Sequence, residues 1–129
     1  MKTYQEIKIV TTSDLDELNH VNNVRYVQWI QDIAKAHWFK ASTTEMNENF
    51  VWVVASHHIE YKSSALLNDH IIIKTFVEKS EGITSTRIVE MYHKDTLKLI
   101  VKASTVWCLL NAKTFKPARI TEDIKTLFC

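Results

Sequence analysis

Between residues 13 and 38 the chain carries Asp14, Asp16 and Glu17 in one acidic run, then His20, Asn22 and Asn23, and then a long apolar stripe. A carboxylate, an imidazole and backbone donors brought together can move a proton or attack a carbonyl carbon. Asn22 or Asn23 is a natural N-cap, because a short amide side chain accepts from a free backbone N–H of the first helical turn. A helix start presents such donors with a partial positive charge, which suits a carbonyl oxygen that becomes an oxyanion during acyl transfer. Asp16, one loop upstream, is the candidate base or nucleophile, with His20 between it and the donor end near Asn23. The same run also reads as a solvated acidic loop that complements the helix dipole, and His20 equally as a structural loop contact.

The element that must hold these groups is a helix of four to five turns. Asn23, Val27, Ile30, Ala34, His37 and Trp38 fall on one stripe at steps of three and four, with Arg25, Gln28, Asp32 and Lys35 opposite. Tyr26 lies one turn in, where its ring packs on a sheet or its hydroxyl reaches a pocket. Alternation and β-branched or aromatic content predict strands over residues 4–12, 50–61, 70–78, 83–93 and 97–110. The turns from 70 onward are too short for crossovers, so neighbouring strands there are antiparallel. Residues 42–49 read as a connection or a short extra turn, and a short helix capped by Thr121 ends the chain. The sum is an α+β layer, a curved antiparallel sheet wrapped around one long central helix. Ile72, Val77, Val106 and Leu110 read as outward and apolar, which favours a homodimer or homotetramer.

Composition narrows the function. With 129 residues and 46% hydrophobic content the chain fits a single domain over residues 1–129. A net charge of +1 gives no reason to expect a nucleic-acid groove, and no run of basic residues suggests a membrane surface. The opening MKTYQEIKIV lacks the apolar core of a signal peptide, so the cytoplasm is the expected location. Cys108 and Cys129 form no CxxC pattern and read as free thiols. Gly82 and Pro117 stand alone, which argues against glycine-rich phosphate loops, and no cofactor is expected. His57 and His58 point to opposite faces of a strand, so no metal site is expected. Ser63 and Ser64 lack the Gly-x-Ser-x-Gly elbow of serine hydrolases. Lys62, Lys79, Arg87 and Lys113 are cations available to phosphates. Trp29, Trp38, Trp52 and Trp107 read as core or interface packing, with Trp29 and Trp52 candidates for lining an acyl tunnel.

These residues carry a resemblance. Asp14 and Asp16, followed by His20, Val21, Asn22, Asn23 and then Tyr26, resemble the signature of hotdog-fold thioesterases of the 4-hydroxybenzoyl-CoA and acyl-CoA thioesterase group. The segment is also similar to plant acyl-acyl-carrier-protein thioesterases, and so are IEYKSSALLNDHI and TVWCLLNAKTFKPARI further on. The resemblance implies a hotdog fold and hydrolysis of acyl-CoA or acyl-ACP across a dimer interface. In it Asp16 would be the nucleophile or the base for water, and Asn22, Asn23 and Val24 would bring the oxyanion donor. Ser63 and Ser64 would lie at the rim. The plant enzymes carry asparagine where this chain has Leu18 and glutamate where it has Ser64, so a plant-type network is incomplete. Relatives often have glycine where Asn19 stands, and asparagine tolerates the left-handed conformation better than most residues. A non-hydrolytic binder of acyl groups on the same fold is the alternative.

Overall fold

The structure, a computed structural model, describes residues 2–129. Strand β1 (Thr3–Ile9) is followed by a 3-10 turn (Thr12–Asp14) and the long helix α1 (Asn23–Ala41). A short helix α2 (Thr44–Asn49) leads into β2 (Phe50–Tyr61), then β3 (His70–Glu81), β4 (Thr84–His93), β5 (Leu99–Asn111) and α3 (Glu122–Thr126). The five strands form one antiparallel sheet in the order β1-β3-β4-β5-β2. The connection through α1 therefore carries the chain from one sheet edge to the other, and the helix is laid across the sheet in passing.

Period-2 alternation decides what meets the helix. Ile71, Ile73, Thr75 and Val77 of β3, Ser85, Arg87, Val89 and Met91 of β4, and Val101, Ala103, Thr105, Trp107 and Leu109 of β5 are all buried. Tyr26, Trp29, Ile30 and Ile33 of α1 pack with Ile71, Ile73, Val89, Met91, Val101 and Ala103. Trp38 packs with Val77, Leu109, Ile124 and Phe128 in a second cluster at the other end of the helix. The buried stripe of α1 is centred on Tyr26, Trp29, Ile33 and His37, whereas Asn23 is exposed and Val27 only half-buried. The expected stripe was thus rotated from the true one by part of a turn, because Ile30 and Ala34 fit both.

One further expectation is corrected. Val77 faces the core at 8% exposure; it is five residues from Ile72, an odd step, so the two cannot share a face. Ile72, Val106 and Leu110 do lie half-exposed on the outer face, joined by Ile7 and Ile9 at 52% and 48% exposure. Of the two readings of residues 42–49 the short extra turn holds: residues 44–49 are helical, capped by the Thr43 side chain, which accepts from the Met46 N–H. Among the described residues no helix is long and apolar enough to cross a membrane. Cys108 and Cys129 are unpaired.

Candidate active site

The acidic loop is folded back on the helix start. Asp14 is buried, and its carboxylate accepts from the Thr11 N–H at 2.9 Å and the Thr11 hydroxyl at 3.0 Å, with Arg25 Nε 3.5 Å away. Its own carbonyl accepts from the Asn22 N–H at 2.8 Å. Asp14 is therefore a clamp between the 3-10 turn and the first turn of α1. Asp16 is half-buried, and its Oδ1 accepts from the N–H groups of Leu18 at 2.9 Å and His20 at 3.1 Å. The turn closes with the Asp16 N–H on the His20 carbonyl at 2.8 Å, and Asn19 takes the left-handed conformation with φ 62°. Asp16 Oδ2 has no hydrogen-bond partner among the described residues. His20 is exposed and contacts Asp16 through its backbone; its ring makes no hydrogen bond among the described residues.

Asn22 is the N-cap, its side chain accepting from the Val24 N–H at 3.0 Å and its carbonyl from the Arg25 N–H at 2.8 Å. That leaves the Asn23 N–H as the donor at the helix tip without an acceptor among the described residues. Val24 is 71% exposed beside it. Leu15 bridges Val21, so the carboxylate loop and the helix tip are held side by side.

The stretch after β2 completes this corner. Val21 donates to the Ala65 carbonyl at 3.0 Å, His20 bridges Leu66, and the buried Tyr26 hydroxyl accepts from the Ala65 N–H at 3.1 Å. Burial pushes the Tyr26 phenol above its ordinary pKa, with the Ala65 amide working the other way. The hydroxyl of Tyr26 therefore ties the 62–66 segment to the helix. Ser63 spends its hydroxyl on the Leu99 carbonyl at 2.9 Å, and Ser64 is exposed. All the predicted site residues thus fall in one corner, though Tyr26 and Ser63 are anchored by backbone groups.

A cavity of about 320 Å³ opens at the opposite end of α1. Ala34, the wall residue nearest the helix start, is already about 16 Å from Asn23 along the axis at ~1.5 Å per residue. Trp38, Phe50, Trp52, Val77, Trp107 and Phe128 wall it. Trp29 belongs to the other cluster, so of the two tryptophans expected to line a tunnel only Trp52 does. Arg87 also lines this cavity and is 6% exposed, which removes it from the surface cations with which its sequence grouped it. Its Nη1 donates to His37 Nδ1 at 2.8 Å and Thr75 Oγ1 at 3.2 Å, and the guanidinium lies 5.2 Å from the Phe128 ring centroid. Burial and the Arg87 charge hold the His37 imidazole down at about 4, so it is neutral at pH 7 and accepts. Burial lowers Arg87 to about 10, which leaves it a cation. The available signal was parity: Ser85, Arg87, Val89 and Met91 alternate inward, and an arginine in that row is the anomaly.

Comparison with known proteins agrees with this architecture. Oleoyl-acyl carrier protein thioesterase 2, chloroplastic, of Arabidopsis thaliana is 28% identical over 116 residues, covering 86% of this chain and 29% of that protein. The chain thus spans less than a third of that relative's length. A 4-hydroxybenzoyl-CoA thioesterase mutant complexed with 4-hydroxybenzoyl-CoA superposes with a TM-score of 0.90 over 100% of both chains at 11% identity. A Staphylococcus aureus protein solved in complex with CoA gives 0.85 over 98% of this chain and 81% of that one at 15% identity. Identities that low speak for the fold alone, and the fold is the hotdog arrangement expected from the motif. The profile of the thioesterase-like superfamily matches residues 10–128, from the end of β1 to the last turn, and the chain belongs to that superfamily.

Proposed function

We propose that the protein hydrolyses an acyl thioester of CoA or acyl carrier protein to the free acid and thiol. The observation that carries this is the pairing of a half-committed carboxylate, Asp16, with the open Asn23 N–H at the tip of α1. A thiolate departs readily, so the reaction needs a polarised carbonyl oxygen and a positioned oxygen nucleophile. The Asn23 amide supplies the first, with Asn22 fixing the turn and Val24 and Ser64 exposed at the rim. Asp16 supplies the second, by direct attack or by taking a proton from water. His20 holds the loop through its backbone, and its exposed ring makes no hydrogen bond among the described residues. Membership of the thioesterase-like superfamily supports the reaction class, and the CoA-bound structural neighbours support the thiol carrier.

The active unit in this reading is a dimer paired through β2. That strand is twelve residues long and lies at the sheet edge with one side unpaired, the kind of edge that recruits another strand. Antiparallel pairing about its middle brings the Asp16 corner of one protomer over the aromatic cavity of its partner. The decisive measurement is thiol release from a panel of acyl-CoAs by the wild type and Asp16→Asn. Turnover should fall by roughly 10²–10⁴-fold with little change in KM; wild-type-like turnover refutes the role of Asp16. Acyl-CoA binding without any thiol release makes the protein a non-hydrolytic acyl binder instead.

A further inference from the structure

The cavity between the C-terminal half of α1 and the sheet contains more than a greasy wall. Both charged residues that line it, Lys35 and Arg87, are cations, and no carboxylate lines it. Arg87 is 6% exposed, and among the described residues no Asp or Glu lies within ion-pair distance of it. The hydrogen bonds it makes run from Nη1 to His37 and Thr75, two neutral groups. Nε and Nη2, the remaining arms of the planar fork, have no acceptor among the described residues. Trp107 in the same wall has a buried indole N–H that also lacks an acceptor. Ser85, two residues before Arg87 on the same strand face, adds a hydroxyl whose oxygen lies 3.1 Å from that of Ser80.

A guanidinium taken out of water without a counter-charge is costly, and its fork geometry matches a carboxylate with two parallel N–H···O bonds. The remaining wall, Trp38, Phe50, Trp52, Val77 and Phe128, suits a chain of methylenes. We propose that this cavity receives the far end of an acyl group that bears a carboxylate there, and that Arg87 pairs with it. The substrate class is thus an ω-carboxyacyl thioester. This rests on the thioesterase reading in its paired form, with the reacting carbonyl at the Asp16 corner of one protomer and the distal carboxylate at Arg87 of the other.

The test compares thiol release from adipoyl-CoA with hexanoyl-CoA, and from suberoyl-CoA with octanoyl-CoA, by the purified full chain. The wild type should favour the ω-carboxyl member of each pair by roughly 10- to 100-fold in kcat/KM, the usual worth of a charge-assisted pair. Arg87→Met should bring that ratio to one or below. Ser85→Asp, which places a carboxylate beside Arg87 from within, should do the same and serves if Arg87→Met fails to fold by circular dichroism. Hydrolysis of both members with no preference in the wild type, or a ratio unmoved by both variants, overturns the proposal and leaves the thioesterase reading standing. If no thioester is cleaved the hydrolase reading fails, and the cavity is read by tryptophan fluorescence during titration with free octanoate or 1-octanol. Saturable octanoate binding that Arg87→Met abolishes supports carboxylate recognition; equal responses to the acid and the alcohol overturn it.

Discussion

Asn23 offers a way to separate the two tasks of a helix start. It is the first residue of α1, and Asn22 before it is extended at φ −65° and ψ 135°. Proline is tolerated at a first helical position and demands an extended residue before it. Asn23→Pro should therefore leave thermal stability nearly unchanged while deleting the open N–H. If that amide holds the oxyanion, kcat should fall by roughly 10²–10³-fold; full activity in a folded Asn23→Pro protein excludes it as the donor. His37 gives a pH prediction. Its folded pKa of about 4 lies below the ordinary value of 6.5, so the unfolded chain binds the extra proton first as pH falls. Stability from His37 is complete above pH 6.5 and is lost toward pH 4, on the order of 3 kcal/mol in all. His37→Gln keeps an acceptor for Arg87 without titrating. Urea midpoints at pH 7 and pH 4.5 should therefore diverge less in that variant than in the wild type.

The start of α1 was the most legible element, because its cap is local chemistry. Asn22→Ala removes the bond to the Val24 N–H and should cost about 1 kcal/mol in urea unfolding. Thr121 at α3 was readable for the same reason, its hydroxyl accepting from the Ile124 N–H. The strands were found within a few residues because alternation and turn residues lie close together in sequence. Their spatial order was not legible, since β2 pairs with β5 at the far edge rather than with a sequence neighbour. The Asp16 corner was visible as a motif, yet its closure by the Ala65 amide and carbonyl depends on residues 39 positions or more away. Arg87 and His37 are separated by 50 positions, and no local pattern announces that they meet. The stripe on α1 shows the limit of periodicity: it found the right helix and the wrong centre, because Trp29 and Ile33 were left off it.

At the scale of the whole molecule the unpaired side of β2 is the exposed liability. Val53 on that strand is 43% exposed, in an element rich in valine and aromatic residues. A charged side chain on such an edge opposes strand addition. If the dimer proposed through β2 is the active unit, Val53→Lys should turn it into a monomer in sedimentation experiments and lower hydrolysis in parallel. A monomeric wild type with full turnover would contradict the paired arrangement.

The separation of the Asp16 corner from the aromatic cavity, along most of one helix, then has a kinetic consequence. In the proposed dimer the blade of one chain meets the grip of its partner, whereas a solitary chain carries them at opposite ends. Its rate per milligram should accordingly collapse on dilution through the association constant and recover on concentration, so that the cell could set turnover by how much of this chain it makes.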